Sequence, residues 1–215
     1  MDGINLAKEI VYEVNRKVKR VYWTNEEIDK FFGKRSAKEI IDNKTTCFMN
    51  PCLDLTLVSA YLMSSHNIKH DFVIEEHPPT KDFNFNKSYL VLKDFNYRLH
   101  FALEFQHEGE EYSLDYKREN EVYIFKGKYN GREDIPRAGM IIIPGENINP
   151  YKPIYKNLGY NTLEELIKDK FKGYSLESNL NRLKQDNSEE NFRSYQKRYG
   201  DEFNINPKPQ NPLSL

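Results

Sequence analysis

Pro51-Cys52-Leu53-Asp54-Leu55-Thr56-Leu57-Val58-Ser59-Ala60-Tyr61-Leu62-Met63 is an almost wholly apolar run opened by a proline. A run of this kind reads as a helix buried inside a larger domain. On its N-terminal side, Ile10, Val11, Val14, Val18 and Val21 follow a helical period. The T-x-x-E and S-x-x-E patterns at Thr24/Glu27 and Ser36/Glu39 are capping boxes that start two short helices, with Trp23 as a packing anchor between them. On its C-terminal side the sequence predicts strands near 71–75, 89–93, 97–106, 111–117, 121–125 and 140–143. Helices followed by a run of antiparallel strands mean an α+β fold.

Two of those strands carry chemistry. In Tyr97-Arg98-Leu99-His100-Phe101-Ala102-Leu103-Glu104-Phe105 the odd positions are apolar, so His100 stands opposite the greasy face. In Tyr112-Ser113-Leu114-Asp115-Tyr116 the alternation continues, with Ser113 and Asp115 on the polar side. The intervening His107-Glu108-Gly109-Glu110 reads as a hairpin loop. A four-residue loop there pairs Leu103 with Leu114 and makes Asp115 a diagonal neighbour of His100, about 5–8 Å away, on the same face. A slip of one residue would separate them. Asp115 also has Lys117 and Arg118 at hand as ion-pair partners.

Cys52 supplies the third component. A thiol at a helix N-terminus feels the positive end of the helix dipole and unpaired backbone N–H groups, and both favour thiolate. Cysteine, histidine and aspartate together are the parts of a nucleophilic triad. Singly, each has a plainer role: a buried thiol filling the core, a hydrogen-bonded strand histidine, a carboxylate in an ion pair.

These pieces, in order, resemble the transglutaminase-like superfamily of papain-like cysteine hydrolases and acyltransferases. The matching text is Cys52-Leu53-Asp54-Leu55-Thr56-Leu57, then Asn67-Ile68-Lys69-His70-Asp71-Phe72-Val73, then Leu99-His100-Phe101-Ala102-Leu103-Glu104, then Tyr112-Ser113-Leu114-Asp115. Upstream, Ser36-Ala37-Lys38-Glu39-Ile40-Ile41 is similar to the short helix that precedes the family's nucleophile, and the similarity spans residues 36 to 116. Asn50-Pro51 stands where family members carry a glycine. Cys47 fits the upstream spacing and Cys52 the Cys-x-Asp motif and the downstream helix, which favours Cys52. The resemblance implies a papain/transglutaminase-like fold, a central nucleophile helix packed on an antiparallel sheet. It also implies acyl transfer through a thioester on Cys52, with His100 as acid–base and Asp115 fixing its tautomer. Hydrolysis of a peptide or amide bond in a peptide or protein substrate is the expected outcome, with no cofactor. Asn50 and Thr46 are candidates for a second oxyanion donor beside the Cys52 N–H.

Other readings stay open. Arylamine N-acetyltransferases also order Cys, His and Asp this way, which would make the enzyme acyl-CoA-dependent, but the Arg-Gly-Gly-x-Cys opening is missing here. A papain-like scaffold kept for binding, with an inert Cys52, is the non-enzymatic alternative. Cys47-x4-Cys52 with His66-x3-His70 has spacing close to a zinc ligand set, although the cysteines precede a buried helix rather than a finger's hairpin.

Composition frames these readings. The chain has 215 residues, with 32 basic against 33 acidic, so nothing predicts a nucleic-acid partner, and the basic Lys126-Gly127-Lys128-Tyr129-Asn130-Gly131-Arg132 reads as a solvated loop. Two cysteines give no disulfide framework, and no apolar run is long enough to span a bilayer. Cytoplasmic residence is the expectation. His77-Pro78-Pro79 opens a polar loop to Lys87. Residues 1–150 read as the core domain. Residues 151–203 read as a helical C-terminal extension, capped at Thr162, Ser175 and Ser188 and ended by Gly200, which covers the sheet or contacts a partner. Residues 204–215, with Pro207, Pro209 and Pro212, read as a disordered tail.

Overall fold

The computed structural model describes residues 2–77, 98–117, 121–129, 139–200 and 204–208. The strand expected at 89–93, the loop beyond His77 and the end of the basic 126–132 stretch fall outside those residues. The fold is α+β, and among the described residues it has eight α-helices and a six-stranded sheet.

Helix α1 (Gly3–Lys17) is capped by Asp2, whose carboxylate accepts from the Asn5 N–H at 2.8 Å, and it buries Ile10, Val11 and Val14. The apolar period runs on to Val21, but the helix stops at Lys17. Val21 belongs to strand β1 (Lys19–Val21), which pairs in parallel with β2 (Thr45–Cys47). Helices α2 (Asn25–Phe31) and α3 (Ala37–Asn43) start at Thr24 and Ser36, and both capping boxes are closed in both directions. Trp23 is buried among Ile28, Cys47 and Leu183, so it anchors more than the two helices beside it.

Helix α4 (Cys52–Ser65) is buried along nearly its whole length. It packs against β3, β4 and β5 and against α1 and α3, and α1 itself reaches β5 and β6. Strand β3 (His70–His77) follows after Asn67, whose φ of 57° turns the chain out of the helix. Strands β4 (Arg98–His107), β5 (Glu110–Tyr116), β6 (Glu121–Lys126) and β7 (Met140–Pro144) complete an antiparallel set. The sheet order is β7-β3-β4-β5-β6-β8. Phe101, Leu103, Leu114 and Tyr116 face α1 and α4 in the main core, whereas Val73, Ala102 and Phe125 form a smaller core on the opposite face.

Strand β8 (Asn204–Lys208) pairs in parallel with β6, so this part of the expected disordered tail is ordered. An edge strand is where a proline such as Pro207 is tolerated. After the short α5 (Ile154–Asn157), which has no side-chain cap, helices α6 (Leu163–Lys170), α7 (Leu176–Asp186) and α8 (Glu189–Tyr199) carry the expected caps at Thr162, Ser175 and Ser188, with Gly200 ending α8. They share the core of the first 150 residues. Ile154, Leu163, Leu166, Ile167 and Phe171 join the main cluster, and Leu183 joins the one around Trp23. Among the described residues, no helix is long and apolar enough to cross a membrane.

Candidate active site

The β4–β5 hairpin closes through a two-residue turn, Glu108-Gly109, with φ of 51° and 80°. Two consecutive positive φ values give a turn whose twist matches that of paired strands. His107 and Glu110, expected in the loop, are the last paired residues of the ladder. Leu103 pairs with Leu114 and Ala102 with Asp115, so Asp115 is diagonal to His100. The side chains meet: His100 Nε2 lies 2.6 Å from Asp115 Oδ1. That contact directs Nδ1, the other ring nitrogen, away from the carboxylate. The imidazole stacks on Tyr129, with ring centroids 5.7 Å apart and planes 27° apart.

Asp115 is buried, and its other oxygen, Oδ2, takes the Lys117 ammonium at 2.5 Å. Burial alone would raise this carboxyl, but the charges and hydrogen bonds of His100 and Lys117 outweigh it and hold the group down to about 2. It is therefore an anion across the physiological range, able to fix the tautomer of His100. Sequence reasoning did not mark two further acids. Glu75 on β3 pairs directly with His100 in the strand register, and Glu104 Oε1 accepts from the Tyr129 N–H at 2.8 Å. Glu75 is an acidic residue buried in a strand, a signal readable only once the register is known.

Cys52 is the first residue of α4, with its side chain mostly buried. Its Sγ lies 3.2 Å from Asn50 Oδ1. Thr56, one turn further along, donates to the Phe101 carbonyl at 3.4 Å, and Ser59 shares a 2.7 Å hydrogen bond with Tyr116. These two bonds fasten α4 to β4 and β5. The imidazole stands on the sheet face that carries Tyr129 and Ala102, and α4 packs on the other. His100 and Asp115 are brought into contact, whereas Cys52 belongs to the core cluster on the helix side of the sheet.

The remaining sequence candidates separate clearly. Cys47 is fully buried in β2, its Sγ is 3.8 Å from Asn187 Oδ1, and burial pushes its thiol up to about 12. A thiol of that kind is protonated at neutral pH and inert. Thr46 donates to Asp54 Oδ2 at 2.8 Å, which commits its hydroxyl to the protein interior, so Asn50 is the candidate side-chain donor that lies beside the thiol. A thiolate cannot donate, so ionisation of Cys52 would turn the Asn50 amide to present its N–H. The Asp of the Cys-x-Asp motif, Asp54, is closed by the Arg35 guanidinium, which lies over Trp23 at 4.7 Å and Phe31 at 5.3 Å. The zinc-like spacing does not assemble. His66 is on the surface against Glu13 at 3.3 Å, while His70 is buried against Gly145, and among the described residues no group of three or more His, Cys, Asp or Glu could hold a metal ion.

No protein family, curated protein or solved structure matches the chain.

Proposed function

We propose that the chain is a transglutaminase-like cysteine enzyme with a papain-like fold, hydrolysing a peptide or amide bond through a thioester on Cys52. The contact of 2.6 Å between His100 Nε2 and Asp115 Oδ1 carries the reading. A histidine tied through one nitrogen to a buried anion is oriented for acid–base work at the other. The start of α4 supplies backbone dipoles that favour a thiolate at Cys52. In this scheme the thiolate attacks the substrate carbonyl and the Cys52 N–H, with Asn50, steadies the oxyanion. His100 protonates the departing amine, leaving an acyl thioester. Water, deprotonated by His100, then releases the acid and restores the thiol. The mechanism needs free thiols, as Cys47 and Cys52 are, and hence a reducing compartment such as the cytoplasm.

One observation favours a second reading, a non-catalytic scaffold: His100 stands on the sheet face away from the nucleophile helix. The pH dependence of alkylation by iodoacetamide, followed at Cys52 and Cys47 separately by mass spectrometry in the wild type and in His100→Ala, decides between them. The enzyme reading expects Cys52 to react well below the free-thiol pKa of about 8.5, with that low-pH reactivity lost in the mutant. A Cys52 that stays unreactive in the folded protein makes it a scaffold.

A further inference from the structure

His70, the first residue of β3, is a buried histidine, only 6% exposed. It shares the parity of Phe72 and Ile74, which face the main core, and Phe105 stands opposite it on β4. Its Nδ1 lies 2.9 Å from the Ile68 carbonyl oxygen. A carbonyl only accepts, so Nδ1 carries the proton and donates it. In the neutral ring Nε2 is then a bare acceptor. That nitrogen is buried and has no hydrogen-bond partner among the described residues.

Gly145 lies against it. This glycine opens the 3-10 helical turn Gly145–Asn147 that follows β7. A Cβ added to Gly145 would come within 2.3 Å of Nε2 and 2.4 Å of Cε1, so the ring and the turn can meet only because the side chain is absent. The turn is closed by the Ile148 N–H, which donates to the Gly145 carbonyl at 3.0 Å, and Pro144 just before it pairs with Asp71. From here the chain leaves the sheet for α5 and the other C-terminal helices.

The neutral ring fits this corner and the charged ring does not. Protonation adds an N–H at Nε2, a donor facing the Gly145 backbone with nothing to receive it, on a cation removed from water. Burial accordingly pushes the ring below the ordinary imidazole value, while the Ile68 carbonyl and the Asp71 charge work the other way. The remaining charges around the ring are directed elsewhere. Lys69 before it and Glu146 after Gly145 are exposed. On β4, Glu104 has the opposite parity to Phe105 and accepts from the Tyr129 N–H. At the exit of α4, His66 is exposed beside Glu13.

We propose that His70 and Gly145 form an acid-sensitive latch between the start of β3 and the turn leading into the C-terminal helices, closed while the ring is neutral and opened when Nε2 takes a proton. In the unfolded chain the ring takes its proton near pH 6.5, and in the fold at a lower pH, so below about 6.5 the unfolded chain holds more protons. The latch therefore contributes fully above that pH, and its contribution declines as the pH falls until the folded ring is itself protonated.

The test combines NMR titration of the His70 ring with urea unfolding and amide exchange between pH 8 and pH 5, in the wild type, His70→Asn and His70→Phe. The first variant keeps a donor for the Ile68 carbonyl, the second keeps an aromatic ring, and neither titrates. The folded wild-type ring is expected to take its proton below about pH 6.5, with an unfolding constant that rises by up to about tenfold per pH unit below that value relative to both variants. Exchange at the Ile148 N–H, corrected for the intrinsic effect of pH, should quicken about tenfold from pH 6.5 to pH 5 in the wild type and stay level in the variants. A His70 ring that titrates at 6.5 or above overturns the proposal. So does a pH dependence of unfolding that the variants share, or an Ile148 amide whose protection ignores acid in the wild type. Should neither variant fold, the ring midpoint and the Ile148 exchange of the wild type decide alone. The latch does not rest on Cys52, so a thiol that never activates leaves it standing.

Discussion

Asp115 is held by two partners of different kinds, the His100 imidazole at 2.6 Å and the Lys117 ammonium at 2.5 Å. Its carboxyl is depressed in the folded protein, so it stabilises the fold above its unfolded value near 3.8, and that contribution is lost as pH falls toward 2. The loss amounts to about 2 kcal/mol, and urea melts from pH 5 down to pH 2 should show it in the wild type and a flatter acid limb in Asp115→Asn. At this scale the hairpin register was legible, because alternating apolar residues and a Glu-Gly turn admit one pairing that puts His100 and Asp115 on a common face. The Lys117 bridge was legible as an option. The contacts of His70 and Asn187 were not: nothing in Lys69-His70-Asp71 names Gly145 as a neighbour, and Asn187 reaches Cys47 and the Trp23 carbonyl from 140 residues downstream of that cysteine. Cys47 itself should resist iodoacetamide until the protein unfolds, and Cys47→Ala should leave the alkylation profile of Cys52 unchanged.

Among the elements, the short helices were plain in the sequence because the capping box is a local device: four residues specify the bonds that start the helix. The β1–β2 pair was hidden, since three-residue strands 26 positions apart leave no periodic trace. Its parallel ladder draws Val21 out of the helical period and sets Arg20 opposite Thr46. The Cys-x-Asp motif was visible, but what Asp54 does there was not. Its carboxylate closes Arg35 and accepts from Thr46, so it ties the first turn of α4 to β2 and to the residue before the Ser36 cap of α3. Asp54→Asn leaves a buried guanidinium without its counter-charge and should cost about 3–5 kcal/mol in urea unfolding. Ser36→Ala, which removes only a cap, should cost about 1 kcal/mol. A gap of that size between two changes at neighbouring elements would identify the ion pair, rather than the cap, as the fastening that matters.

Over the whole molecule, the C-terminal helices and their caps were legible, but their attachment was not. Amphipathic helices announce a buried face without naming what covers it, and here it is the core of the first 150 residues. A chain ending at residue 150 should therefore lose cooperative thermal unfolding and aggregate. Phe171→Ala in the full chain should cost about 3–5 kcal/mol by denaturant titration. An intact cooperative transition in the shortened chain would show the helices to be dispensable after all. The ordering of β8 beside β6 was equally hidden, because a segment containing Pro207 reads as a strand only when a neighbouring edge is there to receive it.

The burial of α4 on every side has a further consequence during synthesis. The helix is complete at Ser65, but the strands it packs on are not complete until β5 ends at Tyr116, and the α6 residues that share its core not until that helix ends at Lys170. At about 5–20 residues per second the ribosome needs on the order of 5–20 s to deliver that cover. For that interval the nascent chain displays its most apolar segment, with Cys52 at its head, to whatever factors attend the exit tunnel.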